Sequence, residues 1–395
     1  MQFATPKMIY SGADTLDALV SIPAVRAMLV TDKNMLSAGH IDRAVCLLEE
    51  HGTETLVFSD IAGEPGRSTV DKAVAIAKSF APDLIVGIGG GSVIDVGKAI
   101  WAFCELPELT WDAALEPFAL PRFPGKIHYI AVPSTSGTGS ETGTSAVVMD
   151  DRKKPSVKQW IDSYEIIPDI AILDPKLCKT MPPSVTANTG FDALSHAIEA
   201  YAATGANELS DCLAQRAVAL IFTWLLPAVR EGSNLTAREK MHLASAMAGM
   251  AFNNAGLGLM HAMAHQLGAQ MRIPHGMANA LVMPYVVAFN CRGAANRYAE
   301  LARTIGITGS DERDMTMRLI AALQKLRCEA GIPMSIREAA ERCGTDTAFD
   351  LELLAQKAML DSCAQTNPRD FATEDLRLLY REAYQGSDPL LLCDR

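Results

Sequence analysis

Two four-residue spacings constrain this chain more than any other feature. Asp192 and His196 stand four apart in Gly-Phe-Asp-Ala-Leu-Ser-His-Ala-Ile-Glu-Ala-Tyr, and His261 and His265 stand four apart in Gly-Leu-Met-His-Ala-Met-Ala-His-Gln-Leu-Gly. His275 follows ten residues later, so these three short segments hold four of the eight histidines. On a helix, residues i and i+4 share one face. Two such helices facing each other, with a loop histidine beside them, form a pocket for one divalent cation. Imidazole and carboxylate without thiolate suit Fe²⁺, Zn²⁺, Mn²⁺ or Co²⁺, and a cation so held can polarise a substrate oxygen. Spacing leaves open which of His261 and His265 faces the ion, and it leaves Glu199, three residues beyond His196, as a rival carboxylate.

The strand pattern places this pocket in the second of two domains. Ala27 to Thr31, Thr55 to Ser59, Leu84 to Ile88 and Tyr129 to Val132 read as short strands. Helical patterns over Ala38 to Gly52, Thr69 to Phe80 and Ser92 to Cys104 lie between them. Such alternation implies an α/β parallel-sheet dinucleotide-binding domain over residues 1–183. After Pro182-Pro183-Ser184 the chain becomes Ala-, Leu- and Met-rich with helical period, implying an all-α metal-binding, catalytic domain over residues 184–395. A length of 395 residues fits two cores. A cleft between two such domains is a common place for a ligand.

Bulk properties exclude several classes. A net charge of −11 argues against nucleic acid as a partner. The longest apolar run, Ala214 to Val229, is broken by Arg216 and Pro227, so no membrane span is expected. The nine cysteines are scattered, with no Cys-x-x-Cys pair, which fits reduced thiols and a cytoplasmic setting.

Two loops carry a nucleotide signal. Gly89-Gly90-Gly91-Ser92 links a strand to a helix, where backbone N–H groups and the helix N-terminus favour a phosphate. Pro133-Ser134-Thr135-Ser136-Gly137-Thr138-Gly139-Ser140-Glu141 follows the next strand with many hydroxyl groups. Asp32, after an early strand, can accept from ribose hydroxyls and would repel a 2′-phosphate, favouring NAD over NADP.

Together these segments closely resemble the iron-containing (group III) alcohol dehydrogenase family over nearly the whole chain. The matching pieces are Gly-Gly-Gly-Ser-Val-Ile-Asp-Val-Gly-Lys (89–98), Pro-Ser-Thr-Ser-Gly-Thr-Gly-Ser-Glu (133–141), the Asp192 and His261 segments, and Pro-His-Gly-Met-Ala-Asn-Ala (274–280). The resemblance implies Asp192, His196, His261 and His275 as ligands of Fe²⁺, with Zn²⁺ or Mn²⁺ as substitutes. It implies His265 as a histidine off the metal, near the nicotinamide, and so a catalytic proton relay. Gly91, Ser92 and Asp95 match the pyrophosphate turn, Thr135 and Thr138 the nucleotide loop, and Lys158 a cofactor-contacting lysine. Ser145, Phe252, Leu257 and Cys363 fall where the family lines its substrate pocket. A homodimer or higher homo-oligomer is expected from the family.

The expected activity is metal-dependent, NAD(H)-linked interconversion of a small primary alcohol and its aldehyde, with aldehyde reduction as the working direction. The substrate is short-chain or polar, and an anionic aldehyde such as sulfoacetaldehyde is among the candidates. Two rivals differ in class. A lyase of the dehydroquinate synthase type would need several cations for its substrate, whereas segments 190–201 and 256–280 hold only Arg272. A non-catalytic assembly protein could use the apolar tail Pro389 to Cys393 for contacts.

Overall fold

The computed structural model describes residues 2–153, 157–345 and 350–393. The chain divides into two compact units. One comprises Ala4–Thr135 and Gly139–Thr180; the other comprises Met181–Arg395 with Met1–Phe3 and Ser136–Thr138.

The first unit carries strands β1 (Met8–Ser11), β2 (Arg26–Val30), β3 (Glu54–Phe58), β4 (Leu84–Gly89), β5 (His128–Pro133), β6 (Ser145–Asp150), β7 (Val157–Asp162) and β8 (Ile170–Leu173). Helices α1 (Lys33–Ser37), α2 (His40–Glu49), α3 (Arg67–Phe80), α4 (Gly91–Glu105) and α5 (Trp111–Ala114) connect them. A six-stranded sheet has the order β1-β8-β5-β4-β2-β3, parallel throughout. Its central strand β4, Leu-Ile-Val-Gly-Ile-Gly, is buried along its whole length, as a strand covered on both faces must be. From β2 the chain passes to β3 on one side, and from β4 to β5 on the other. The connections therefore diverge at the carboxyl ends of two neighbouring strands, the position where open α/β sheets bind ligands. Helix α4 lies close against the sheet because Gly97 has no side chain: a Cβ there would overlap the Tyr129 hydroxyl, which donates to Ile94 O at 2.8 Å.

The four strands expected from sequence are β2 to β5. Strands β1 and β8 and the antiparallel hairpin β6–β7 lie outside that reading. β1 is an edge strand with Met8 and Ile9 exposed, so no burial alternation marks it. β8 is four residues between Asp169 and Asp174 and pairs with β5 and β1.

The second unit is helical: α6 (Pro183–Ala202), α7 (Glu208–Arg230), α8 (Leu235–Ala255), α9 (Leu259–Met271), α10 (His275–Thr304), α11 (Glu312–Glu329), α12 (Ile336–Cys343), α13 (Leu351–Met359) and α14 (Thr373–Gln385). α6 is the central member, buried without interruption from Gly190 to Ala202. Two sequence readings are corrected here. α7 is long and apolar enough to cross a membrane despite Arg216 and Pro227. It nonetheless buries Ala214, Ala217, Val218, Ile221, Leu225 and Ala228 in the helical core, the stripe of an amphipathic helix packed on α6 and α8. The tail Pro389 to Cys393 is not a projecting contact surface: Pro389, Leu392 and Cys393 are buried, and Leu391 alone is well exposed.

Candidate active site

Helices α6, α9 and α10 bring the expected ligands together. Asp192 and His196 lie on one face of α6, His261 is in the first turn of α9, and His275 opens α10. Gly276 permits the last placement. A Cβ there would overlap the Asn188 carbonyl oxygen and press on Asp192 Cβ at 3.1 Å, so only glycine lets the start of α10 seat against α6. Asp192 Oδ1 lies 3.3 Å from His275 Nε2 and 3.9 Å from His261 Nε2. His196 stands beside this group, its ring stacked on His261 with centroids 4.4 Å apart.

Hydrogen bonds on the far side of two rings orient them. Gly137 O accepts from His196 Nδ1 at 3.2 Å, and Glu199 Oε2 stands 2.5 Å from His261 Nδ1. A proton on Nδ1 leaves Nε2 as the lone-pair nitrogen of each ring. Glu199 is thereby resolved as the partner behind His261, with Oε1 accepting from Met260 N at 2.6 Å. In the metal-free chain burial pushes the Glu199 carboxyl up to about 8; a cation on Nε2 of His261 would favour the carboxylate with the ring proton on Nδ1. Burial also holds His196 below the ordinary imidazole range, and holds His261 well below it with help from the neighbouring imidazoles. Both rings are therefore neutral, the form that binds metal.

The acceptor set fits a cation. Asp192 Oδ1, His261 Nε2 and His275 Nε2 all face one donor group, the Asn279 amide nitrogen, at 3.0, 3.2 and 3.3 Å. Asn279 Oδ1 is itself buried without a hydrogen-bond partner, and Asp192, His261 and His275 each offer one ligand atom within 4.8 Å of the others, a carboxylate and two imidazoles suited to a cation. Asn279 sits one turn from His275 on α10; the four-residue spacing was the signal that could have found it.

His265 is set apart from this focus by a partner of its own. Its Nδ1 is 2.8 Å from Asp361 Oδ2, and its ring stacks on His275 at 5.3 Å. Asp361 is 96 residues away in sequence, and no spacing announces it. Cys363 follows closely, its N–H donating to Asp361 Oδ1 at 3.0 Å. Phe252 stacks on His196 at 4.4 Å, and Leu257 O accepts from Thr366 Oγ1 at 2.7 Å. Ser145 belongs to the other unit, where its hydroxyl donates to Asp162 Oδ1 at 2.5 Å.

In the sheet unit the two expected loops meet. Ser134 N donates to Gly89 O at 2.8 Å, and a Cβ on Gly90 would lie 3.6 Å from Thr135 Cγ2. Gly91 and Ser92 form the first turn of α4, at the end of a strand adjacent to β2 and Asp32. Asp95 is buried and engaged: Oδ1 accepts from Ser140 Oγ at 2.5 Å and Oδ2 from Val147 N at 3.1 Å. Asp32 caps α1 through Oδ1, accepting from Asn34 N at 2.7 Å and Met35 N at 3.1 Å. Lys158 pairs with Glu64 at 2.6 Å. Thr138 falls with Ser136 and Gly137 in the helical unit. Sequence reading missed Lys98, which is fully buried and donates to Gly143 O and Ser145 O at 2.8 Å each.

Comparisons with known proteins give the family. Residues 6–175 match the model of the iron-containing alcohol dehydrogenase family, and residues 186–384 match that of its C-terminal domain. An NADPH-dependent butanol dehydrogenase of Clostridium saccharobutylicum is 37% identical, across 98% of this chain and 99% of that protein. The crystal structure of a 1,3-propanediol oxidoreductase superposes with a TM-score of 0.90 at 34% identity, over 97% of this chain and 99% of that one. A sulfoacetaldehyde reductase from Bifidobacterium kashiwanohense, solved with NAD⁺, gives 0.86 at 29% identity, over 97% and 98%. With both of its units matched, and with relatives aligned end to end, this chain belongs to the iron-containing alcohol dehydrogenase family.

Proposed function

We propose that the chain is a metal-dependent NAD(H) oxidoreductase that reduces a small aldehyde to its primary alcohol. The observation that carries this is the convergence of Asp192, His261 and His275, which each offer one ligand atom within 4.8 Å of the others. Asp192, His196, His261 and His275 would hold Fe²⁺, with Zn²⁺ or Mn²⁺ as substitutes. The cation would supply Lewis acidity to the substrate oxygen, and the nicotinamide would carry the hydride.

The protein's own part is positioning and proton handling. His265, its Nδ1–H given to Asp361, keeps Nε2 as the acceptor that exchanges a proton with the substrate hydroxyl. Phe252, Leu257 and Cys363 would wall the substrate. Gly91, Ser92, Thr135 and Thr138 would contact the dinucleotide. The bonds of Asp95 support a role through Ser140, in holding the loop. The ion pair of Lys158 with Glu64 would have to open for Lys158 to reach a phosphate.

Asp32 favours NAD over NADP in this reading. Its cap uses Oδ1, which leaves Oδ2 for ribose hydroxyls where a 2′-phosphate would be opposed. The butanol dehydrogenase relative is NADPH-dependent by name and the sulfoacetaldehyde reductase was solved with NAD⁺, which makes the coenzyme worth testing directly. In segments 190–201 and 256–280 the one cationic side chain, Arg272, is exposed, which favours a neutral aldehyde over a sulfonate. A homo-oligomer and a cytoplasmic setting complete the proposal. The test is an anaerobic screen of neutral and anionic aldehydes with NADH and with NADPH, using Fe²⁺-reconstituted enzyme. Turnover of short neutral aldehydes with NADH is expected. No NADH oxidation by any aldehyde would overturn the proposal.

A further inference from the structure

A second group of ligand-type side chains lies beside the first and differs from it in chemistry. One ligand atom each from His265, Asp361 and Cys363 fall within 4.8 Å of one another. The local fold builds this group. Asp361 caps the 3-10 turn Ser362–Thr366, and that cap fixes Cys363 two residues on, while the other carboxylate oxygen meets His265. All three residues are of intermediate exposure, and the Asp361 side chain is more enclosed than that of His265, at 8% against 15%.

We propose that His265, Asp361 and Cys363 form a second divalent-metal site that selects a thiophilic ion such as Zn²⁺. A thiolate and a carboxylate together neutralise a dication, and His-Asp-Cys with one open position is a zinc-type donor set. The neighbouring focus of Asp192, His261 and His275 has no sulfur, so the two sites sort ions by softness. The His265–Asp361 pair needs little adjustment. Ligands bonded to Zn²⁺ at about 2.0 Å in tetrahedral array stand about 3.3 Å apart. His265 Nδ1 and Asp361 Oδ2 stand 2.8 Å apart, so a small side-chain rotation opens the site. On binding, the Cys363 thiol gives its proton to water. His265 then uses Nδ1 for the metal and carries its only proton on Nε2, so that it cannot form the imidazolium that would hand a proton to the alkoxide left by hydride transfer to the aldehyde. Filling the site therefore inhibits turnover, a consequence that rests on the function proposed above.

The test is a Co²⁺ titration of the chelator-stripped full chain, kept reduced with a phosphine. The first equivalent should give visible d–d bands without sulfur character. The second should add a thiolate-to-cobalt charge-transfer band in the near ultraviolet, bleached by Zn²⁺. Cys363→Ser should lose that band and keep the first-equivalent d–d bands, which also report that it is folded. Asp361→Asn should weaken the second event by about tenfold. No band in the wild type through two equivalents, or an undiminished band in Cys363→Ser, would overturn the site. These readouts need no turnover, so they stand or fall apart from the proposed activity. In enzyme holding one Co²⁺, the second equivalent should lower aldehyde-dependent NADH oxidation by about a hundredfold. A band with no such drop would overturn the inhibitory half.

Discussion

Replacing Glu199 with Gln isolates what holds His261 in its metal-binding form. The Glu199 carboxylate accepts twice, from His261 Nδ1 at 2.5 Å and from Met260 N at 2.6 Å, in a fully buried position. A glutamine has one acceptor oxygen and one donor nitrogen. If its nitrogen faces His261, the ring proton must move to Nε2, and the lone pair aimed at the cation is lost. If its nitrogen faces Met260, two buried donors oppose each other, at a cost of about 1–3 kcal/mol. Loss of a hydrogen-bonding partner behind a metal-bound histidine weakens metal binding by about 10–100-fold, or roughly 1.4–2.7 kcal/mol. The two estimates overlap, so Glu199→Gln should raise the metal dissociation constant by about 10–100-fold. Competition with a calibrated chelator at neutral pH measures it. An unchanged dissociation constant would refute the orienting role of Glu199.

Other expectations follow from the same contacts. Gly276→Ala drives a methyl group into the Asn188 carbonyl, which no rotamer relieves; it should cost about 1–3 kcal/mol in denaturant unfolding and strip the metal on dialysis. His265→Ala should keep one metal per chain by elemental analysis while turnover falls by about 10²–10⁴-fold; loss of the metal would show that His265 belongs to the ligand set. Asp32→Asn keeps a cap oxygen but removes the charge, so the NADPH-to-NADH activity ratio should rise, and an unchanged ratio would count against charge repulsion. In metal-free protein, burial places the Glu199 carboxyl at about 8 against 4.5 for an ordinary glutamate, so the folded chain holds a proton that the unfolded chain releases. That stabilising term is complete below pH 4.5 and is lost as the pH rises through about 8. The melting temperature of wild type relative to Glu199→Gln should fall across that range; a flat difference would contradict it.

The legible parts of this chain are those governed by local periodicity. Strands β2 to β5 are apolar runs bounded by turn residues, and the two histidine pairs reveal helical spacing directly. What stayed hidden depends on the tertiary fold. Glu199 and Met260 are 61 residues apart, and Asp361 and His265 are 96 apart. β8 is an exception: Ile-Ala-Ile-Leu between Asp169 and Asp174 meets the same criterion as β2 to β5 and escaped at only four residues long. α7 shows how composition misleads: a helix hydrophobic enough for a membrane is a core helix because one stripe of it meets α6 and α8. Gly276 reads as an ordinary residue of a motif until the carbonyl beneath it is seen.

Aldehyde-dependent NADH oxidation by chelator-stripped enzyme, followed as Fe²⁺ is returned anaerobically in fractional equivalents, probes the cation's role most directly. The rate should be near zero without metal and rise in proportion to occupancy, breaking at one ion per chain. Turnover that persists in stripped enzyme, or that ignores the added ion, would contradict a reaction dependent on a cation held by Asp192, His196, His261 and His275.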